Sequence, residues 1–234
     1  MTGRVKTMTM EELLAQLATP RLPMQLTREN AVLLLIDMQR LALSEFLVWE
    51  AAEKGIDPAV AGAACAEYDA RFDSCNKQGQ KLLEAFRERD MTPIHVRIES
   101  YAKDARDTGP SHVRVGYKFP PGCGWSDFIE EVKPLPGEIV LSKTCSGAVV
   151  GSSLDKVLRN LKTRYVIAAG YYTDQCVETT IRDLHDLGYD VTLVTDATAT
   201  ATQKRYEATM ATCVGVYCRG MTTGQVLGEL EKIR

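Results

Sequence analysis

The chain is poor in the groups that mark several large protein classes. Only three histidines occur among its 234 residues, at 95, 112 and 185. They show no ligand spacing, so no metal is expected. Lysine and arginine total 28 against 31 aspartates and glutamates, a formal charge of −3. That leaves no basic footprint, and nucleic acid is not expected as a partner. No apolar run approaches the span of a membrane helix, and no stretch reads as a secretory signal. No GxGxxG follows the apolar run Ala31 to Ile36, and no GxxxxGKS/T loop occurs, which disfavours a nicotinamide or nucleotide enzyme. Internal repeats and low-complexity tracts are absent. The seven cysteines, at 65, 75, 123, 145, 176, 213 and 218, include no CxxC and no Cys/His pairing. Reduced thiols in a cytoplasmic protein are therefore expected, rather than a disulfide framework or a zinc site.

What remains is ordinary for a globular chain, with 45% hydrophobic and 25% charged residues. The length suits one large α/β domain over residues 1–234, with 1–30 as an N-terminal extension carrying a short amphipathic helix, Met10 to Leu17. Thr9 followed by Glu12 resembles a capping box. The run Ala31–Ile36, AVLLLI, reads as a central parallel strand, with Asp37 at its carboxyl end as a site residue or a helix cap. Helical tendency fills Leu43–Glu53 and Ala59–Arg89, and a second strand follows over Pro93–Glu99 with His95 inside it as a core histidine. Residues 102–137, rich in Gly and Pro, read as a long functional connection. A short strand over Glu138–Leu141 leads to Lys143, whose natural partner is Asp37. Leu154–Leu161 reads as a helix.

The segment from Arg164 to Thr195 carries the strongest signal. An apolar strand (Tyr165–Ala169) and a turn at Gly170 precede a helix with Val177, Ile181 and Leu184 on one face; Thr173 or Asp174 serves as N-cap and Gly188 as C-cap. Another strand follows and ends at Asp196. Helix Tyr206–Thr212, a last strand Val214–Tyr217 and a closing helix Thr223–Ile233 complete the chain. Strands alternating with helices predict a mostly parallel sheet. Cys176 falls in the first turn of a helix at a strand's carboxyl end, where the helix dipole is expected to lower the thiol pKa toward neutrality; a packing cysteine is the alternative. Asp37, Lys143 and Cys176 make a chemically complete set: a carboxylate to take the thiol proton, an ammonium to hold both anions, and a thiolate nucleophile.

LLLIDMQ, the Lys143 strand end with CSGAVVGSSL, AAGYYTDQCVETT and GYDVTLVTDAT together resemble the isochorismatase-like cysteine hydrolase superfamily, over about Ala31 to Val216. That resemblance implies a three-layer Rossmann-like sheet of order 3-2-1-4-5-6. It implies Cys176 as nucleophile, Asp37 as general base and Lys143 as their electrostatic support. It also implies a cis peptide between Tyr171 and Tyr172, with the backbone N–H groups of Tyr172 and Cys176 as the oxyanion hole, and a homo-oligomer, dimer or tetramer. The retained cysteine argues against vinyl-ether hydrolysis. HVRIESY stands where nicotinamidases carry a metal site, so no cofactor is expected. Many relatives have an aromatic residue where this chain has Ala148. Candidate substrate contacts are Gln39, Arg97, Tyr101, Trp125 and Tyr172, with Arg97 suited to a carboxylate or ureido oxygen and a salt bridge to Glu99 as its alternative. The implied activity is metal-independent hydrolysis of a small amide, preferably a ureido or carbamoyl compound, through a thioester. Ring carboxamide hydrolysis, a non-catalytic redox-sensing or binding member of the fold, and a nucleotide-binding module are the competing expectations.

Overall fold

The structure, a computed structural model, describes residues 8–233. Six parallel strands form one sheet: β1 (Ala31–Ile36), β2 (Thr92–Ile98), β3 (Ile139–Lys143), β4 (Tyr165–Tyr171), β5 (Asp190–Ala199) and β6 (Arg219–Met221). Their order is β3-β2-β1-β4-β5-β6. Every residue of β1 and β4 is buried, as central parallel strands covered on both faces require, so their sequences run apolar instead of alternating.

Helices α1 (Met10–Leu17), α2 (Ser44–Glu53), α3 (Pro58–Ala64), α4 (Ala66–Arg87), α5 (Pro110–Arg114), α6 (Ala148–Gly151), α7 (Leu154–Asn160), α8 (Glu178–Asp186), α9 (Gln203–Cys213) and α10 (Thr223–Leu230) surround the sheet. The long α4 packs on β1, β2, β4 and β5 through Phe72, Leu82, Leu83 and Phe86. At Gly79 the backbone of α4 comes so close to Met38 that an added Cβ would meet its methyl carbon at 2.8 Å. The α1 helix has the expected capping box at Thr9 and Glu12, yet none of its side chains is buried. Met24 and Leu26, further along, rest against the core.

Several boundaries differ from expectation. Strand β3 reaches Lys143, making that lysine the last residue of the strand instead of a residue beyond it. Strand β5 continues past Asp196 to Ala199, because its pairing with β4 resumes after an irregularity: Ala168 faces Leu193, but Gly170 faces Thr198. The expected last strand at Val214–Tyr217 is a turn, with Gly215 at φ 88° and Val214 bridging only Cys218. The sheet edge is taken instead by Arg219–Met221, where Arg219 pairs with Asp190 at 2.8 Å. A polar edge strand carries no hydrophobic pattern and is fixed by such pairing.

Beneath the far edge, Arg87 Nε donates to Glu138 Oε1 at 2.7 Å, and His95 Nε2 lies 3.0 Å from Glu138 Oε2. His95 is fully buried, and Nδ1 has no partner. Burial pushes Glu138 upward, but the bond from Arg87, the Leu135 N–H and the Arg87 charge together outweigh it and hold the carboxyl at about 2. A depressed folded pKa contributes stability above the ordinary carboxyl value of about 4.3, and that contribution is lost as pH falls toward 2. Glu138→Gln is therefore expected to lower the thermal midpoint at pH 6 and to approach the parent near pH 2.5. A midpoint difference that stays constant across that range would contradict this linkage.

Candidate active site

The site gathers at the carboxyl ends of β1, β3 and β4, on either side of the strand-order reversal, where open parallel sheets place ligands. Gly170 governs the approach. It pairs with Ile36 at φ 124°, and a Cβ there would stand 2.0 Å from the Ile36 carbonyl oxygen. Asp37 follows Ile36 directly in the left-handed region at φ 53°, with its N–H bound to Val96 O at 2.9 Å. Such a conformation is uncommon for a non-glycine residue and turns the carboxylate off the strand end.

Lys143, Asp37 and Cys176 meet here. Lys143 Nζ lies 2.8 Å from Asp37 Oδ2, 3.4 Å from Cys176 Sγ and 2.9 Å from the Cys145 carbonyl oxygen. The ammonium donates hydrogen bonds to the Cys145 carbonyl and the Cys176 sulfur and is ion-paired with Asp37. Lys143 is 0% exposed, Asp37 2% and Cys176 5%, so the charges interact with little screening. Burial alone would lower the Lys143 pKa, but Asp37 and the sulfur reverse that and hold it above its ordinary value. Burial raises Asp37 above the ordinary carboxylate range, against the pull of Lys143.

Cys176 departs from the sequence expectation. Burial pushes its thiol up to about 12, Lys143 opposes this, and Asp37 adds to it. The resting group is a neutral thiol beside a carboxylate, because desolvation of the sulfur outweighs the dipole of a short helical turn. That turn is also unlike the one expected. Residues Thr173–Val177 form a π turn leading into α8, and Tyr172 occupies the N-cap position without a side-chain capping bond. Thr173 instead bonds Thr198 at 2.9 Å, and Asp174 bonds Thr200 and pairs with Arg205. A π turn inserts one extra residue per turn and often marks a functional site. No cis peptide occurs among the described residues, so the Tyr171–Tyr172 bond is trans, contrary to expectation; β4 stays extended and paired through Tyr171, opposite Ala199.

A cavity of about 140 Å³ opens over the sulfur, lined by Asp37, Cys176, Tyr171, Tyr172, Gln175 and His112 among others. Tyr117, Tyr172 and Gln175 also border an outer chamber of about 780 Å³, which holds Arg71 and Arg205. Of the five candidate substrate contacts, Tyr172 lines the cavity, its hydroxyl 2.8 Å from that of Tyr68. The other four lie elsewhere. Gln39 is fully buried and uses its amide as a brace: Nε2 donates to Ile98 O and Ser126 O, and Oε1 accepts from Ile98 N. Arg97 pairs with Glu99 at 2.5 Å and faces a separate depression with Arg40 and Lys133. Tyr101 is 66% exposed, its hydroxyl bound to Ser142 O. Trp125 packs edge-on against Phe46 and tilted against Trp49, under Arg40. Ala148 is buried and donates its N–H to Thr180 Oγ1.

His112, Gln175 and Tyr117 were missed from sequence. Gln175 was within reach, one residue before Cys176. No pattern marked His112, which reaches the cavity because Gly109 ties α5 to the end of β3: Gly109 N donates to Thr144 O at 2.8 Å, and a Cβ on Gly109 would meet that oxygen at 2.5 Å. Burial, followed by the charge of Lys143, lowers the His112 pKa below the ordinary histidine value. No group of three or more His, Cys, Asp or Glu that could hold a metal ion occurs among the described residues, and no described helix is long and apolar enough to cross a membrane. All seven cysteines are free.

Comparison with known proteins bears on the same region. Ureidoacrylate amidohydrolase RutB of Variovorax paradoxus is 35% identical over 99 residues, 42% of this chain and 39% of that protein. The matched stretches span 30 to 57% of the length of the curated relatives compared. A cysteine hydrolase from Pseudomonas syringae pv. phaseolicola 1448A superposes with a TM-score of 0.73 at 20% identity, over 91% of this chain and 98% of that one. N-carbamoylsarcosine amidase from Thermoplasma acidophilum does so with a TM-score of 0.62 at 20% identity, over 83% and 96%. These structural likenesses show the shared fold. Residues 31–225 match the isochorismatase domain model, and by that match, which spans most of its length, the chain belongs to the isochorismatase family.

Proposed function

We propose that this protein is a metal-independent amidohydrolase that cleaves the C–N bond of a small ureido or carbamoyl amide through a thioester on Cys176. The observation that carries this reading is the buried Lys143 ammonium within reach of both Asp37 and the Cys176 sulfur, two residues that line a cavity. Neither carboxylate oxygen of Asp37 has a hydrogen-bond partner, and Oδ1 is also outside the 2.8 Å ion pair that Oδ2 makes with Lys143, which leaves it open for the thiol proton. A carboxylate whose pKa burial has raised is the better base for that transfer.

In the first half-reaction the thiol proton passes to Asp37 and the sulfur attacks the carbonyl carbon. The Cys176 N–H, in the π turn, is the amide assigned to the oxyanion; the Tyr172 N–H, expected beside it on a cis peptide, follows a trans one and is not assigned that role. The C–N bond breaks as Asp37 returns the proton to the leaving nitrogen. In the second, water gives a proton to Asp37 and attacks the thioester, the C–S bond breaks, and the sulfur regains its proton. Lys143 remains an ammonium throughout and stabilises whichever neighbour is anionic.

A cavity of about 140 Å³ is small beside ordinary ligand pockets, so it suits the scissile group, with the rest of the substrate in the outer chamber. The stretch shared with a ureidoacrylate amidohydrolase supports the ureido class. A thiol that is buried and uncharged at rest disfavours redox sensing, which needs an accessible thiolate. The test is ammonia release across ureido acids, biuret-like compounds and carboxamides, with mass spectrometry of the quenched enzyme for an acyl group on Cys176. Release is expected from one or more ureido compounds. Silence across the whole panel, with no adduct, would reject the proposal.

A further inference from the structure

We infer that His112 is the residue that reads the substrate: its imidazole hydrogen-bonds the polar group adjoining the carbonyl that Cys176 attacks, and so selects ureido compounds over simple amides. This rests on the amidohydrolase reading. His112 is only 8% exposed and forms part of the wall that also holds Cys176 and Asp37. Its Nδ1 is buried without any hydrogen-bond partner, an arrangement that costs stability unless something supplies one. The hydroxyls of Tyr117 and Tyr172, on the same wall, are directed at Glu50 and Tyr68 respectively. Cys176 and Asp37 are committed to the reacting carbonyl and the transferred proton.

The Tyr171 hydroxyl is also buried without a partner, but its ring packs on Phe72 of α4; the imidazole is the other large polar ring on the wall whose hydrogen-bonding capacity the protein leaves unspent, and the one that offers both a donor and an acceptor. A neutral imidazole offers one donor and one acceptor, which match the mixed N–H and C=O edge of a ureido group and have no counterpart in a simple alkyl amide. Its position is not that of a residue merely filling space. The α5 segment that carries it is held to the end of β3 by the Gly109–Thr144 bond, one residue past Lys143, so the helix bearing the ring is tied to the strand that bears the lysine.

The test compares full-length parent, His112→Phe and His112→Asn on an N-carbamoyl compound and on the unbranched primary amide of the same length. Phenylalanine keeps the ring and loses both polar nitrogens; asparagine restores a donor and an acceptor near Nδ1. In His112→Phe the ratio of kcat/KM for the ureido compound over the amide is expected to fall about 10- to 100-fold, carried mainly by KM, with partial recovery in His112→Asn. A ratio within about threefold of the parent in His112→Phe would overturn the assignment, as would an equal loss in both variants. If the parent turns over neither these two compounds nor any other of the panel, the hydrolase reading fails, and binding then decides His112 separately. The N-carbamoyl compound should raise the thermal midpoint of the parent more than that of His112→Phe. Equal shifts, or none in the parent, would reject the contact. Should His112→Phe not fold, His112→Asn and His112→Gln in the same midpoint and ratio measurements carry the test, a parent-like ratio in Gln with a reduced one in Asn also counting against contact through Nδ1.

Discussion

Cys176→Ala and Cys176→Ser are each expected to bring ammonia release from the best ureido substrate down to background, a loss of about a thousandfold or more. Alanine removes the sulfur that the proposed mechanism uses to attack. Serine keeps the shape, but a hydroxyl is far less acidic than a thiol, and the neighbouring groups are tuned for sulfur. Asp37, raised by burial, can draw a proton from a thiol; it has no comparable hold on an alcohol. The fold should persist in both, because Cys176 contributes one hydrogen bond from Lys143 and sits at the end of a π turn whose backbone bonds do not involve its side chain. Thermal midpoints within about 4 °C of the parent are expected for a change of about 1 kcal/mol. Ammonia release above a tenth of the parent rate in either variant would remove Cys176 from the role of nucleophile.

Gly170→Ala is expected to have the largest effect on stability of any single methyl addition. At φ 124° an L-residue is strained whatever the space, and there is no space: the new Cβ would lie 2.0 Å from the Ile36 carbonyl oxygen and 2.8 Å from its nitrogen. These are backbone atoms of β1, the strand paired with β4, so they cannot yield without parting the two. A cost above about 4 kcal/mol is expected, equivalent to a fall of about 8–16 °C in thermal midpoint or to insoluble expression. Because Asp37 follows Ile36, any protein that does fold should also lose activity. A midpoint within about 2 °C of the parent would show that the strands do not approach as closely as described.

The two variants bear on different links of one chain of causes. Gly170 permits the close approach of two parallel strands, that approach brings Asp37 toward the π turn, and the turn presents Cys176 to Lys143. Only the last of these links is chemical. The first is steric, and its signal in the sequence is one glycine at the end of an apolar run.

The central strands could be read directly. AVLLLI and YVIAA are buried on both faces, and burial of that kind demands continuous apolar side chains regardless of what lies beside them. The carboxyl end of such a strand is a defined place, so Asp37 and Cys176 could be assigned to the same rim from their positions alone. The amphipathic helices followed for the same reason. Edge strand β6 could not be read, since RGM has no pattern of its own and takes its place by pairing with β5 and by the Arg219–Asp190 contact.

By itself, then, the sequence determined which segments must be covered on both sides, and therefore which residues end up at the rim where chemistry is possible. The tertiary structure decided what those residues experience there. It raised the Cys176 thiol where a lowered one was expected, turned Gln39 into a brace, aimed Arg97, Tyr101 and Trp125 away from the cavity, and brought in His112 from the 102–137 connection, which its glycines and prolines marked as functional without singling out that residue. The physical reason is one of range. Hydrophobic burial is a property each segment carries along its own length, whereas desolvation, hydrogen-bond partnership and the direction of a side chain are set by neighbours that are distant in sequence and arrive only when the sheet closes.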